Sequence, residues 1–217
     1  MLEQLTHAEA RVLGSLVEKQ LTTPEYYPLT LNALTAACNQ KSNREPVVSY
    51  DETTITGAVD TLRDKNLVYL FYGSNSRAVK YKHMLPSVFD LDAAGVAIVA
   101  VLLLRGPQTL GELRERTGRL YEFSGMGEVQ ETLDGLTRRD DPLIVKLERQ
   151  PGQKEARYAH LLCGEVEQAA PVIRESGSTA VTAKNDRIEN LEAQVETLRD
   201  EFASLRETFE EFRKQFE

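Results

Sequence analysis

The chain has 217 residues, 41% of them apolar and 28% charged, with a formal charge of −8. That length holds one large domain or two small ones with a tail, and the acidic balance argues against a protein that depends throughout on phosphate contacts. The most apolar run, residues 93–104, has twelve residues against the roughly twenty needed to span a bilayer, and MLEQLTHAEARVL lacks a signal-peptide pattern, so we expect a cytoplasmic protein without membrane association.

In chain order, Thr6-His7-Ala8-Glu9 fits a capping box. Val12, Leu13, Leu16 and Val17 then mark one buried helix face, ending near Lys19. After LTTPEYYP, Thr30 caps a short helix carrying Leu31, Leu34 and Ala37, with Cys38 as a small apolar residue on it. A polar loop from Asn39 to Val48 leads to a helix over about 51–65, with Ile55, Val59 and Leu62 facing the core. LVYLFY reads as a strand, GSNSR as a turn and AVKYKH as the returning strand.

The same order recurs. Asp92 opens a helix through Leu104 that is apolar all round, hence buried on more than one side, and GPQ breaks it; packing between the two units is the expectation and a dimer contact the alternative. Thr109-Leu110-Gly111-Glu112-Leu113 echoes Thr30-Leu31-Asn32-Ala33-Leu34, and Val129, Leu133 and Leu136 mark the third helix. LIVKLE, RQPGQKE and ARYAH repeat the hairpin, with Tyr158-Ala159-His160 where Tyr81-Lys82-His83 stood. Three helices and a β-hairpin make a winged helix. The expected fold is α+β and mostly helical: winged-helix domains over 1–88 and 89–170, a linker over 171–185 and a coiled-coil helix over 186–217.

TPEYYPLTLNALTAACNQKSNREPV, followed by YDE and a Leu-Arg-Asp-Lys helix end, resembles the YceH-like family of bacterial proteins of unknown function. The resemblance covers both repeats and implies a tandem winged-helix fold and cytoplasmic residence. It brings no catalytic or ligand residues with it.

In a helix-turn-helix reader the second helix of the motif lies in the major groove. With Ile55, Val59 and Leu62 inward, the outward face is Thr53, Gly57, Asp60 and Asp64, flanked by Thr56 and Arg63. Two carboxylates there would meet a wall of phosphates, and Gly127, Glu131, Asp134 and Arg138 form the matching face of the second unit. Neither helix reads as a strong groove reader. The nucleic-acid candidates are therefore mostly peripheral: Lys41 and Arg44 in the loop, Thr53 and Thr56 on the helix, Arg77 and Lys80 at the first wing, and Arg138, Arg149 and Lys154 around the second. The alternative is that these cations are ordinary solvated surface, and that the long polar loop satisfies its own backbone.

From Ile188 the apolar residues fall at alternating spacings of three and four. Ile188, Val195, Phe202, Phe209 and Phe216 hold one seam position, and Leu191, Leu198, Leu205 and Phe212 the other. The expectation is a homodimer through this coiled coil, with Arg187 facing Glu192 of a partner copy and Glu201 facing Arg206. The alternative is that the tail packs back on the body.

His7, His83 and His160 lack ligand neighbours at metal spacing, and Gly125-Met126-Gly127 is too short for a phosphate loop. No catalytic, cofactor or metal site is expected, and the chain is not expected to be an enzyme. Its expected role is a DNA-associated dimer, with a protein-interaction module that makes no DNA contact as the alternative.

Overall fold

The computed structural model describes residues 4–72, 78–149 and 152–164. The tail residues, from Ile188 to Phe216, and Arg77 lie outside the described residues. The first helix, α1 (His7–Thr22), starts on the expected capping box: Thr6 Oγ1 accepts from the Glu9 amide at 3.2 Å and Glu9 Oε2 accepts from the Thr6 amide at 2.5 Å. It runs past Lys19 because the Thr23 amide still donates to the Lys19 carbonyl at 3.0 Å. Next come a two-residue strand β1 (Leu29–Thr30), α2 (Leu31–Cys38) capped by Thr30, and α3 (Glu52–Asp64), capped by Asp51 Oδ1 accepting from the Thr54 amide at 2.8 Å. The hairpin β2 (Val68–Phe71) and β3 (Lys80–His83) follows, then a short helix α4 (Leu85–Phe89).

The second half repeats this order: α5 (Ala93–Arg105), β4 (Gln108–Thr109), α6 (Leu110–Thr117), α7 (Met126–Thr137), β5 (Ile144–Lys146) and β6 (Arg157–His160). Each hairpin gains a third strand that hydrophobic alternation does not forecast. The sheets are antiparallel, ordered β1-β3-β2 and β4-β6-β5, so β2 and β5 are each an outer strand. Leu29 pairs with Tyr81 as Gln108 pairs with Tyr158, and Val68 pairs with His83 as Ile144 pairs with His160. The result is an α+β fold, about half helical, with two small antiparallel sheets.

The described residues fall in one compact unit, and the repeats share a continuous core inside it. The reason is α5, whose residues from Ala94 to Leu104 are all buried. One side of it packs on α1, and other sides pack on α6 and α7. The ends of the unit also meet: the Leu5 amide donates to the Leu162 carbonyl at 2.7 Å.

Candidate nucleic-acid interface

Strand alternation sorts the first hairpin into two faces. Val68 and His83 pair on the buried face, and Leu70 lies opposite Tyr81 on the same side. The other face carries Tyr69 opposite Lys82 and Phe71 opposite Lys80. Tyr69 is 50% exposed and Phe71 45%, large fractions for aromatic rings on a paired strand. Facing Cβ atoms in an antiparallel pair lie roughly 4.5–5.5 Å apart, so two rings and two ammonium groups occupy one small surface. Neither Lys80 nor Lys82 forms an ion pair among the described residues.

On α3 the outward face is the one the periodicity forecasts: Thr53, Thr56, Gly57, Asp60 and Asp64 are exposed. Thr56 Oγ1 donates to the Glu52 carbonyl at 2.8 Å, a bond it must give up to meet a base edge with that proton. Asp60 holds Arg63 at 3.1 Å. With Glu52, Asp60 and Asp64 against Arg63, this helix offers three carboxylates and one guanidinium. Just past the end of α7, Arg138 is tied to Asp134 at 3.0 Å. Arg149 and Lys154 are exposed beside the second hairpin.

One candidate is corrected outright. Arg44 is 5% exposed and does not face solvent. Its Nη2 lies 2.7 Å from Glu18 Oε2 and its Nη1 3.2 Å from Oε1, while Nε and Nη2 both donate to the Ala37 carbonyl. This guanidinium fastens the polar loop to α1 and to the end of α2. The rest of the loop is held as firmly. Asn39 exchanges two hydrogen bonds with the Tyr50 backbone, at 2.7 and 2.8 Å, the Glu45 amide donates to the Leu104 carbonyl at 2.9 Å, and Arg11 Nη2 donates to the Pro46 carbonyl at 2.6 Å. Lys41 is the loop's remaining exposed cation.

Of the candidates the sequence singles out, Lys80 is the one placed in a coherent patch, and sequence reasoning misses its companions Tyr69, Phe71 and Lys82. The signal is available: VYLF read against KYKH in antiparallel register alternates buried with exposed. A second cationic group is also missed, where Arg105, Arg116 and Arg119 line a narrow groove with Glu18 and Asn43. Arg105 bonds Asn43 and Arg116 pairs with Glu112 at 3.3 Å, which leaves Arg119 exposed there without an ion pair among the described residues.

A cavity of about 780 Å³ lies between α1, the loop over 45–50, α5 and β6, with His160 and Cys163 in its wall. Burial, with help from His7, pulls the His160 pKa down to about 4, and burial, with help from Glu9, pushes the Cys163 thiol up to about 11. Near neutrality the one is therefore an uncharged imidazole and the other a protonated thiol. Among the described residues no group of three or more His, Cys, Asp or Glu could hold a metal ion, and no helix is long and apolar enough to cross a membrane.

The chain matches a recognisable group of sequences. A family profile described as "Protein of unknown function, DUF480" matches residues 5–153. A UPF0502 protein of Opitutus terrae is 56% identical over 166 residues, covering 76% of this chain and 72% of the relative. One from Pelobacter propionicus is 50% identical over 194 residues, 88% of each chain, and one from Pectobacterium atrosepticum is 46% identical over 200 residues, covering 90% of this chain and 94% of the relative. The chain belongs to the DUF480/UPF0502 family of bacterial proteins of unknown function, in agreement with the resemblance drawn from its loop.

Proposed function

We propose that this chain is a non-enzymatic cytoplasmic protein with two tandem winged helices, which associates with DNA through the outer face of its first hairpin and pairs as a homodimer through a coiled coil over 186–217. Each repeat supports the winged-helix reading by its order of three helices and a hairpin closed by a short strand from between the first two helices. The observation that carries the DNA reading is the register setting unpaired Lys80 and Lys82 beside one another on an exposed sheet face. The acidic surface of α3 opposes seating that helix in the major groove, so the proposed contacts are those of the hairpin lysines to the phosphate backbone.

The test is binding of the full-length protein to a labelled random duplex across a salt series, beside the Lys80→Glu/Lys82→Glu double variant. Neutralised phosphates give log K a slope of about −0.9 per contact, so losing two lysine contacts from each of the two first hairpins of the dimer flattens the slope by about 3.6. No binding at low salt, or a variant that binds as the parent does, overturns the reading. A protein partner is the second reading. The exposed Tyr69 and Phe71 favour it, because aromatic residues are enriched at protein interfaces.

A further inference from the structure

The two hairpins match in register but not in their outer faces. At the positions of Tyr69, Lys82, Phe71 and Lys80 in the first, the second carries Val145, Ala159, Leu147 and Arg157. Ala159 is buried, and Arg157 is engaged with Glu112 at 2.9 Å. A paired set of exposed rings and free ammonium groups is thus special to the first repeat rather than a by-product of the fold.

We propose that this face binds single-stranded nucleic acid, with bases stacked on Tyr69 and Phe71 and phosphates met by Lys80 and Lys82; the inference rests on the nucleic-acid reading above and names the form of the ligand. Two observations choose a single strand over a duplex. Bases inside a duplex have their faces buried in the stack, so a duplex leaves two half-exposed rings with nothing to cover them, whereas an unpaired strand offers a π-face at every base. The nearby α3 also presents Glu52, Asp60 and Asp64, which oppose a duplex seating its major groove on that helix. Geometry agrees with charge. Tyr69 and Phe71 are two residues apart on one strand, so their Cα atoms are separated by roughly 6.7 Å along it, and each has a lysine directly across. Two unpaired cations suit a polyanion, and flat rings between them suit its bases.

The chain contains no tryptophan, so Phe71→Trp places a single reporter on the face. Titration of the full-length Phe71→Trp protein with labelled oligothymidylate is expected to quench that fluorescence and bind more tightly than a duplex of equal length. Tyr69→Ala and Phe71→Leu in the parent chain each weaken oligothymidylate binding about fivefold or more while leaving duplex affinity within about twofold, since a base stack is worth about 1–3 kcal/mol. Circular dichroism confirms that each variant is folded, and the leucine variant keeps the apolar packing if the alanine variant does not fold. Duplex binding with no preference for the single strand, no quenching, or no effect of the ring variants overturns the inference and leaves the DNA reading in place. Absence of binding to either nucleic acid overturns both and turns the rings over to a protein partner.

Discussion

Arg44 and Glu18 form a two-pronged ion pair inside the protein, with Nη1 3.2 Å from Oε1 and Nη2 2.7 Å from Oε2. Twenty-six positions separate them in the chain, and the pair joins the long polar loop to the first helix. Burial works to raise the Glu18 pKa, but the hydrogen bond and charge of Arg44, with help from Lys19, outweigh it and hold the carboxyl below its ordinary value. Arg44→Ala leaves the buried Glu18 carboxylate with Lys19 alone, 3.5 Å away, which costs about 3 kcal/mol. Replacing both, as Glu18→Gln/Arg44→Met, costs less than the single change. Urea unfolding measures each. A large loss of nucleic-acid affinity in Arg44→Ala with stability unchanged contradicts the anchoring role.

His83 and His160 occupy the same place in the two sheets, opposite Val68 and Ile144. Burial, then Lys82 for the first and His7 for the second, brings each pKa down to about 4 from an ordinary 6.5. The unfolded chain takes up these protons from about pH 6.5 downward, while the folded chain resists them until about pH 4. Their stabilising effect is therefore complete above pH 6.5 and drains away as pH falls toward 4, by about 3 kcal/mol per histidine at the end of that window. Loss from the depressed carboxyls of Glu9, Glu18 and Glu112 begins lower, below their ordinary 4.5. Urea midpoints at pH 7.0, 5.5 and 4.5 should fall steadily for the parent and flatten for His83→Gln/His160→Gln. A parent chain with constant stability over that range refutes the assignment.

Much of the architecture is legible in the sequence because its signals are local. Thr6, Thr30, Asp51, Asp92 and Thr109 each cap the helix that follows them, and the side-chain chemistry of capping is written within four residues. Leu29–Thr30 and Gln108–Thr109 are not legible, because two residues cannot show an alternation. The fate of Arg44 is hidden for a different reason: a loop arginine followed by Glu45 gives no hint that a glutamate in the first helix will claim it. The aromatic and lysine face lies between these extremes. Each strand alternates visibly, but a face is defined by two strands together, and the register that sets Tyr69 on Lys82 emerges only on pairing.

Gly14 marks where α1 and α5 approach closely. A Cβ placed there comes 3.0 Å from Leu103 Cβ, 3.0 Å from Leu104 Cγ and 3.1 Å from Leu104 Cδ2. Leu103 Cβ is fixed to its backbone, so the helices themselves must give. Alanine improves helix propensity by about 1 kcal/mol, but overpacking of this kind costs about 1–3 kcal/mol, and Gly14→Ala should be destabilising overall. Gly57 is the control: it lies in the middle of α3, and a methyl group there would meet nothing within 4 Å, so Gly57→Ala should stabilise by about 1 kcal/mol. Thermal melts of the two variants should move in opposite directions. A Gly14→Ala protein as stable as Gly57→Ala removes the close approach as a constraint on the core.

Dimerisation is the remaining prediction, and it rests on sequence pattern: Ile188, Leu191, Val195, Leu198, Phe202, Leu205, Phe209, Phe212 and Phe216 keep a seam two positions wide over four heptads. A narrow seam of this kind matches the face that a helix offers to a second copy of itself. Deleting residues 184–217 should leave a folded monomer by light scattering, with circular dichroism reporting the helices of the two repeats. It should also weaken nucleic-acid binding by at least about tenfold, because pairing links two first hairpins and makes the second contact intramolecular. The salt dependence should flatten at the same time, since half of the lysines are lost from the complex. A truncated protein that remains dimeric takes the tail out of that role and moves the contact to the folded body. A monomer that binds as tightly as the parent keeps the dimer but removes its part in binding.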